Sequence, residues 1–110
     1  ALDIDKHLGV LPAALAVRGR RTEVLATNLA NADTPHFKAR DLDFREALAA
    51  ASSPGATGRP VALVTRSTGI NTVDAQLEQA AFAENAVRYQ ATLTFLSSRF
   101  RSLMTAITGQ

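Results

Sequence analysis

The sequence predicts a mainly α fold: an elongated, coiled-coil-like antiparallel pair of terminal helices joined by an irregular, loop-rich middle segment. Three observations carry this. In the last third of the chain, Phe82, Ala86, Tyr89, Leu93, Leu96, Phe100, Leu103 and Ile107 alternate in steps of four and three, which lines them up along one seam of an α-helix. In the first third, Ile4, Leu8, Leu11, Leu15, Arg18, Thr22, Leu25 and Leu29 follow the same alternation, with Arg18 and Thr22 as polar intruders. Finally, no Gly or Pro interrupts Asn71 to Thr108. One helix there would run roughly 55 Å at ~1.5 Å per residue, too long for a compact globule of 110 residues. The expected organisation is a single rod-type domain, with an N-terminal helix over 1–32, a turn, short helix and loop over 33–70, and a long helix over 71–110.

Local signals place the element boundaries. A proline inside a helix costs ~3 kcal/mol unless it sits in the first turn. Pro12 therefore predicts a helix starting near Leu11, with Ala1 to Val10 a separate or kinked turn. Gly19 costs less, ~1 kcal/mol relative to Ala. The helix should stop at Asn31 to Asp33, because Asn tolerates the C-terminal left-handed position and Pro35 forbids continuation. Asp43 followed by Glu46 has capping-box spacing, which predicts a short helix over Phe44 to Ala51. Ser52 to Pro60, rich in Ser, Pro and Gly, reads as loop, and Val61 to Thr65 as a short strand candidate. Asn71 is the expected cap of the long helix, with Asp74 in its first turn.

The two seams suggest a register. Pairing Leu29 with Phe82 sets Leu25 by Ala86, Leu15 by Leu96, Leu11 by Phe100 and Ile4 by Ile107. A competing register pairs Leu29 with Val73 and sets Arg18 opposite Glu84. At ~25 cal/mol per Å² of buried apolar surface the first is expected to win. A weaker stripe, Val73, Leu77, Ala80, Val87 and Ala91, lies nearly opposite the first on the same helix. A helix apolar on two faces needs two partners, so this stripe is expected to meet a neighbouring molecule.

Composition narrows the function classes. The chain is 46% hydrophobic and 5% aromatic, without Trp, which suits helix seams better than a thick core. Its 12 Lys and Arg against 10 Asp and Glu give a net charge of +2, too small an excess to argue for nucleic acid. Cys is absent, which removes disulfides and thiolate metal sites. No run approaches the ~18 apolar residues of a membrane span. Ala1 to His7 is polar and carries Asp3, Asp5 and Lys6, unlike a cleavable secretory signal.

Catalytic patterns are missing. His7 and His36 are the only histidines, and neither stands in a metal-ligand motif. Asp41, Asp43 and Glu46 read as a solvated turn with a helix cap rather than a calcium loop. There is no phosphate-binding glycine loop and no nucleophile elbow. The reading is therefore not an enzyme, with no cofactor and no metal. Arg18, Arg20 and Arg21 form a small basic cluster, better read as a solvated or partner-facing helix surface than as a nucleic-acid footprint.

Asn28 and Asn31, near a helix end, have two readings. Either they terminate the helix, or their amides hydrogen-bond a partner segment and fix its register, as buried Asn does in coiled coils.

Asn28-Leu-Ala-Asn-Ala-Asp-Thr-Pro-His-Phe-Lys-Ala-Arg-Asp-Leu-Asp-Phe44 resembles the N-terminal signature of bacterial flagellar axial proteins. The Asn28-x-Ala-Asn31 turn is the shared axial element. The continuation through Asp33, Thr34, Pro35, Phe37, Asp41 and Phe44 narrows the resemblance to the rod proteins of the basal body. Asn71-Thr-Val-Asp74, Phe82-Ala-Glu-Asn85 and Tyr89-Gln-Ala91 agree at the other end, and Arg18 and Arg21 match the family's helix pattern. The resemblance covers about two-thirds of the chain. It implies a structural component of the proximal rod that assembles through its terminal helices, transmits torque and lines the export channel. The implied assembly residues are Leu11, Leu15, Leu25, Leu29, Phe82, Tyr89, Leu93, Leu96, Phe100, Leu103 and Ile107. Copies of itself, other proximal rod proteins, the MS-ring protein, the ring–rod adaptor and the flagellar type III export apparatus are the implied partners. The implied location is the rod in the periplasmic space, reached without a cleaved signal peptide.

Two departures stand out. Family members usually carry Gly where His36 stands, so His36 is expected at positive φ with some strain. They also carry a longer stretch, ending in Gly, before the Asn-Thr-Val-Asp motif. Here Ile70 precedes Asn71 directly, so either the loop is short in this chain or residues are missing between the two, and the second is the expectation. The alternatives are a small helical DNA-binding protein, with a helix-turn-helix near Ala26 to Ala50, and a coiled-coil adaptor. The first would concentrate its basic residues on one helix. The second would not need the Asn28 to Phe44 signature.

Overall fold

The computed structural model describes residues 3–53, 64–65 and 74–109. The molecule is a rod, 59 × 26 × 17 Å along its principal axes, mainly α-helical as its patterning predicts. Helix α1 spans Ile4–Leu8 and α2 spans Leu11–Ala30. A two-residue strand β1, Arg40–Asp41, leads into α3, Phe44–Ala51. Strand β2, Val64–Thr65, pairs antiparallel with β1, Arg40 opposite Thr65 and Asp41 opposite Val64. Helix α4 spans Ala75–Thr108, roughly 51 Å at ~1.5 Å per residue.

The predicted boundaries have visible causes. Pro12 sits in the first turn of α2, where its missing N–H costs nothing. The chain breaks just before it, at Gly9, with φ 58° and ψ −132°. Helix α2 ends at Asn31, whose N–H reaches back to the carbonyls of Thr27, Asn28 and Leu29. Asp43 accepts from the Glu46 N–H and so caps α3. His36 stands at φ 64°, the left-handed position expected for it. The cap of α4 differs from expectation: Asp74 accepts from the Gln76 and Leu77 N–H groups. Its carboxylate does there what was assigned to the Asn71 amide and adds a negative charge at the helix N-terminus. Asn71, Val73, the Ile70–Asn71 junction, most of the Ser52–Pro60 loop and residues 61–63 of the strand candidate lie outside the described residues.

Helix α4 packs along α2 and, beyond it, along α1. The core lies at the α2–α3 end. Val17, Val24, Leu42 and Ala47 form it, with Phe44 and Ala51 packed against them. Leu25 is fully buried as well.

Candidate assembly surface

The α2–α4 interface is more polar than the seam pattern predicts. Three side chains in it are buried to 1% exposure: Asn28, Glu78 and Asn85. Asn28 Nδ2 donates to Glu78 Oε2 at 3.0 Å and to the Arg40 carbonyl at 2.7 Å, while its Oδ1 accepts from the Arg40 N–H at 3.0 Å. One amide thus joins α2, β1 and α4. Asn85 Nδ2 donates to the Arg18 carbonyl and to Thr22 Oγ1, at 3.0 and 2.9 Å. Asn85 Oδ1 is buried without a hydrogen-bond partner. Arg18 and Thr22, the intruders in the α2 stripe, stand where Asn85 needs acceptors.

This network corrects the expected register. Thr22 meets Asn85, whereas the Leu29–Phe82 pairing would set Tyr89 against it; the helices are offset by about one turn. It does not match the alternative pairing of Leu29 with Val73 either, since Asn28 meets Glu78. The observed register gives partners to the Asn28 amide and to Asn85 Nδ2, though not to Asn85 Oδ1. An unpaired buried polar group costs about 1–3 kcal/mol, more than the few CH₂ equivalents that a sliding stripe recovers.

The same network rotates α4. Glu78, Asn85, Thr92 and Arg99 recur every seventh residue. Glu78 and Asn85 are buried, Thr92 is half-buried, and Arg99 donates to the His7 carbonyl at 3.4 Å. Phe82, Tyr89 and Leu96 remain half-buried and Leu103 is buried, as are, wholly or in part, Leu11, Leu15, Leu25 and Leu29 on α2. The other half of the expected seam turns outward. Leu93 is 36%, Phe100 49% and Ile107 55% exposed, with Met104 beside them. Leu77, Val87 and Phe95 are exposed on another side of the helix. The expected weaker stripe thus gains Phe95, which sequence periodicity did not assign to it.

The signature segment folds against α2 for separate reasons. Arg21 makes a two-pronged ion pair with Asp41, Nε–Oδ1 2.9 Å and Nη2–Oδ2 3.0 Å. That hydrogen bonding raises the Arg21 pKa above its ordinary value against the opposing effect of burial. Arg18 lies 3.9 Å over the centre of the Phe44 ring, a cation–π contact. Burial lowers its pKa, reinforced by Arg88 and Arg21. Arg20 pairs with Glu23, so each arginine of the basic cluster is engaged inside the chain. Asn31 follows the plainer reading: Nδ2 donates to the Thr27 carbonyl and Oδ1 accepts from Thr34 Oγ1, which ends the helix. Phe37 is half-buried, while Asp33, Thr34 and Pro35 are exposed. Of the acidic cluster, Asp41 is taken by Arg21 and Asp43 by the α3 cap.

The geometry is that of a hydrogen-bonded hairpin presenting apolar helix faces, with the aromatic rings Phe95 and Phe100 among them. No family model matches the chain. Curated relatives do. The chain is 45% identical over 122 residues to a flagellar basal body rod protein FlgB of Cereibacter sphaeroides, covering 94% of this chain and 95% of the relative. It is 37% identical over 130 residues to the protein of the same name in Aeromonas hydrophila, with 100% and 98% covered. Identity is 33% over 132 residues to that of Salmonella typhimurium, with 96% of each covered. The first alignment has 122 positions against 110 residues here, so that relative carries residues with no counterpart in this chain.

Proposed function

The chain belongs to the flagellar basal body rod protein FlgB family and is a structural component of that rod; from this premise we propose that it assembles through the outward faces of α4, in the proximal rod, to transmit torque and line the export channel. The observation that carries the proposal is the exposure of Leu93, Phe100 and Ile107 on one side of α4 and of Leu77, Val87 and Phe95 on another. A soluble monomer rarely leaves a long helix apolar on two uncovered sides, and a tubular array covers both with neighbouring helices. The partners are copies of itself, the other proximal rod proteins, the MS-ring protein and the ring–rod adaptor. Export proceeds through the flagellar type III apparatus into the periplasmic space.

Phe100→Asp tests this. A carboxylate buried between subunits costs several kcal/mol, yet Phe100 is half in water within the chain, so the single subunit should fold. The expected outcome is loss of rods and of motility, with the variant still found outside the cytoplasm of cells unable to build rods. Normal rods would overturn the proposal. Retention and degradation in the cytoplasm would mean that the residue acts before assembly.

A further inference from the structure

Met104 is the single methionine of the 110 residues and, since Cys is absent, their single sulfur atom. It stands in the last turns of α4 and is 42% exposed. One step back along the helix, Leu103 is buried to 1%, so a shift of one position would have shielded the thioether. The same placement decides its surroundings. Phe100 lies four residues before it and Ile107 three after, spacings that bring side chains to one helix face. Both are about half exposed, at 49% and 55%. The sulfur therefore sits in the middle of the apolar patch read above as an assembly surface.

Sulfur side chains are the ones that peroxides oxidise most readily, and here no thiol competes with the thioether for the oxidant. The step is an oxygen transfer. The Met104 sulfur gives a lone pair to one oxygen of a hydroperoxide, so that the S–O bond forms as the O–O bond breaks. The proton on the transferred oxygen passes to the departing one, which leaves as water or an alcohol. Sulfur is oxidised and the peroxide reduced, and a flexible apolar side chain becomes a polar sulfoxide. While the patch faces water, the new oxygen is hydrated and costs the single chain little. Beneath a neighbour's apolar helix it is a buried acceptor without a donor.

We propose that Met104 is a peroxide-modified site whose sulfoxide excludes the oxidised chain from assembly. This rests on the reading of α4 as an assembly surface and adds a chemical control to it. The control acts before assembly: a covered patch shields the thioether, so oxidation rejects damaged free chains and spares those already in the array.

The full chain treated with hydrogen peroxide should gain one oxygen atom, located at Met104 by peptide mass spectrometry. Its helicity by circular dichroism should stay the same, while its self-association in sedimentation should weaken at least about tenfold. Reductases for both sulfoxide epimers should restore that association. Met104→Leu, compared with itself before and after peroxide, should not respond. Oxidation should also run more slowly in associated samples than in dilute ones. Undiminished association of the sulfoxide form, loss of helix on oxidation, or an equal response of Met104→Leu would overturn the proposal and leave the assembly surface standing. No association of the untreated chain would overturn both.

Discussion

The two ends of the rod are held by different physics. At one end, α2, α3, β1 and the first half of α4 are tied by directional bonds: Asn28 to Glu78 and Arg40, Asn85 to Thr22, Arg21 to Asp41. At the other, Arg99 donates to the His7 carbonyl at 3.4 Å and Leu103 is buried, while Phe100, Met104 and Ile107 around it stay exposed. Hydrogen bonds between buried groups accept a single arrangement. Apolar contact accepts many. The first end is accordingly specified within the chain, while the second keeps its apolar surface available to something else.

The largest expected effect comes from Asn28→Ala. It removes three hydrogen bonds at once and leaves Glu78 buried without that amide, which should cost about 3 kcal/mol or more in urea unfolding. A loss below about 1 kcal/mol would mean that the directional end is not what the chain depends on. Leu25→Ala and Leu103→Ala sharpen the comparison, since both residues are fully buried. Leu25→Ala should cost about 3 kcal/mol of global stability. Leu103→Ala should cost under about 1 kcal/mol, because the tail opens locally before the whole chain unfolds. Equal losses would erase the distinction between the ends. The smallest effects are gains at the specified end. Gly19→Ala should add about 1 kcal/mol, its methyl having room beside Tyr89. His36→Gly should relieve left-handed strain at φ 64° and raise stability by about 1 kcal/mol, read from the thermal midpoint.

The same contrast governs what the sequence made legible. Both ends of α2 and the start of α3 were legible because each is set by one local residue, Pro12, Asn31 and Asp43, whereas the start of α4 was not: Asp74 caps it where Asn71 was expected. The elongated helix pair was legible from the two stripes. The face that α4 turns inward was not. Apolar periodicity gave Leu93, Phe100 and Ile107 the same weight as Phe82, Tyr89 and Leu96, and only the distant Asn28, Thr22 and the Arg18 carbonyl break the tie, by claiming Glu78 and Asn85. The signal was present in the recurrence of Glu78, Asn85, Thr92 and Arg99 at every seventh position, but polar side chains at a helix seam read as exceptions until their partners are known. The β1–β2 pairing was out of reach for another reason: two residues carry no period, and Arg40 is held from behind by a side chain on another element.

The recurring polar positions on α4 have a mechanical consequence. A subunit loaded along its length experiences shear between its two long helices, and a purely apolar seam could creep by sliding one heptad, leucine replacing leucine. Here such a slip would strip Glu78 from Asn28 and carry Asn85 away from Thr22, so that displacement meets resistance in the first ångström rather than after a full repeat. The pair behaves as a toothed coupling: it holds its setting under load, and it gives way by losing the setting altogether instead of drifting from it.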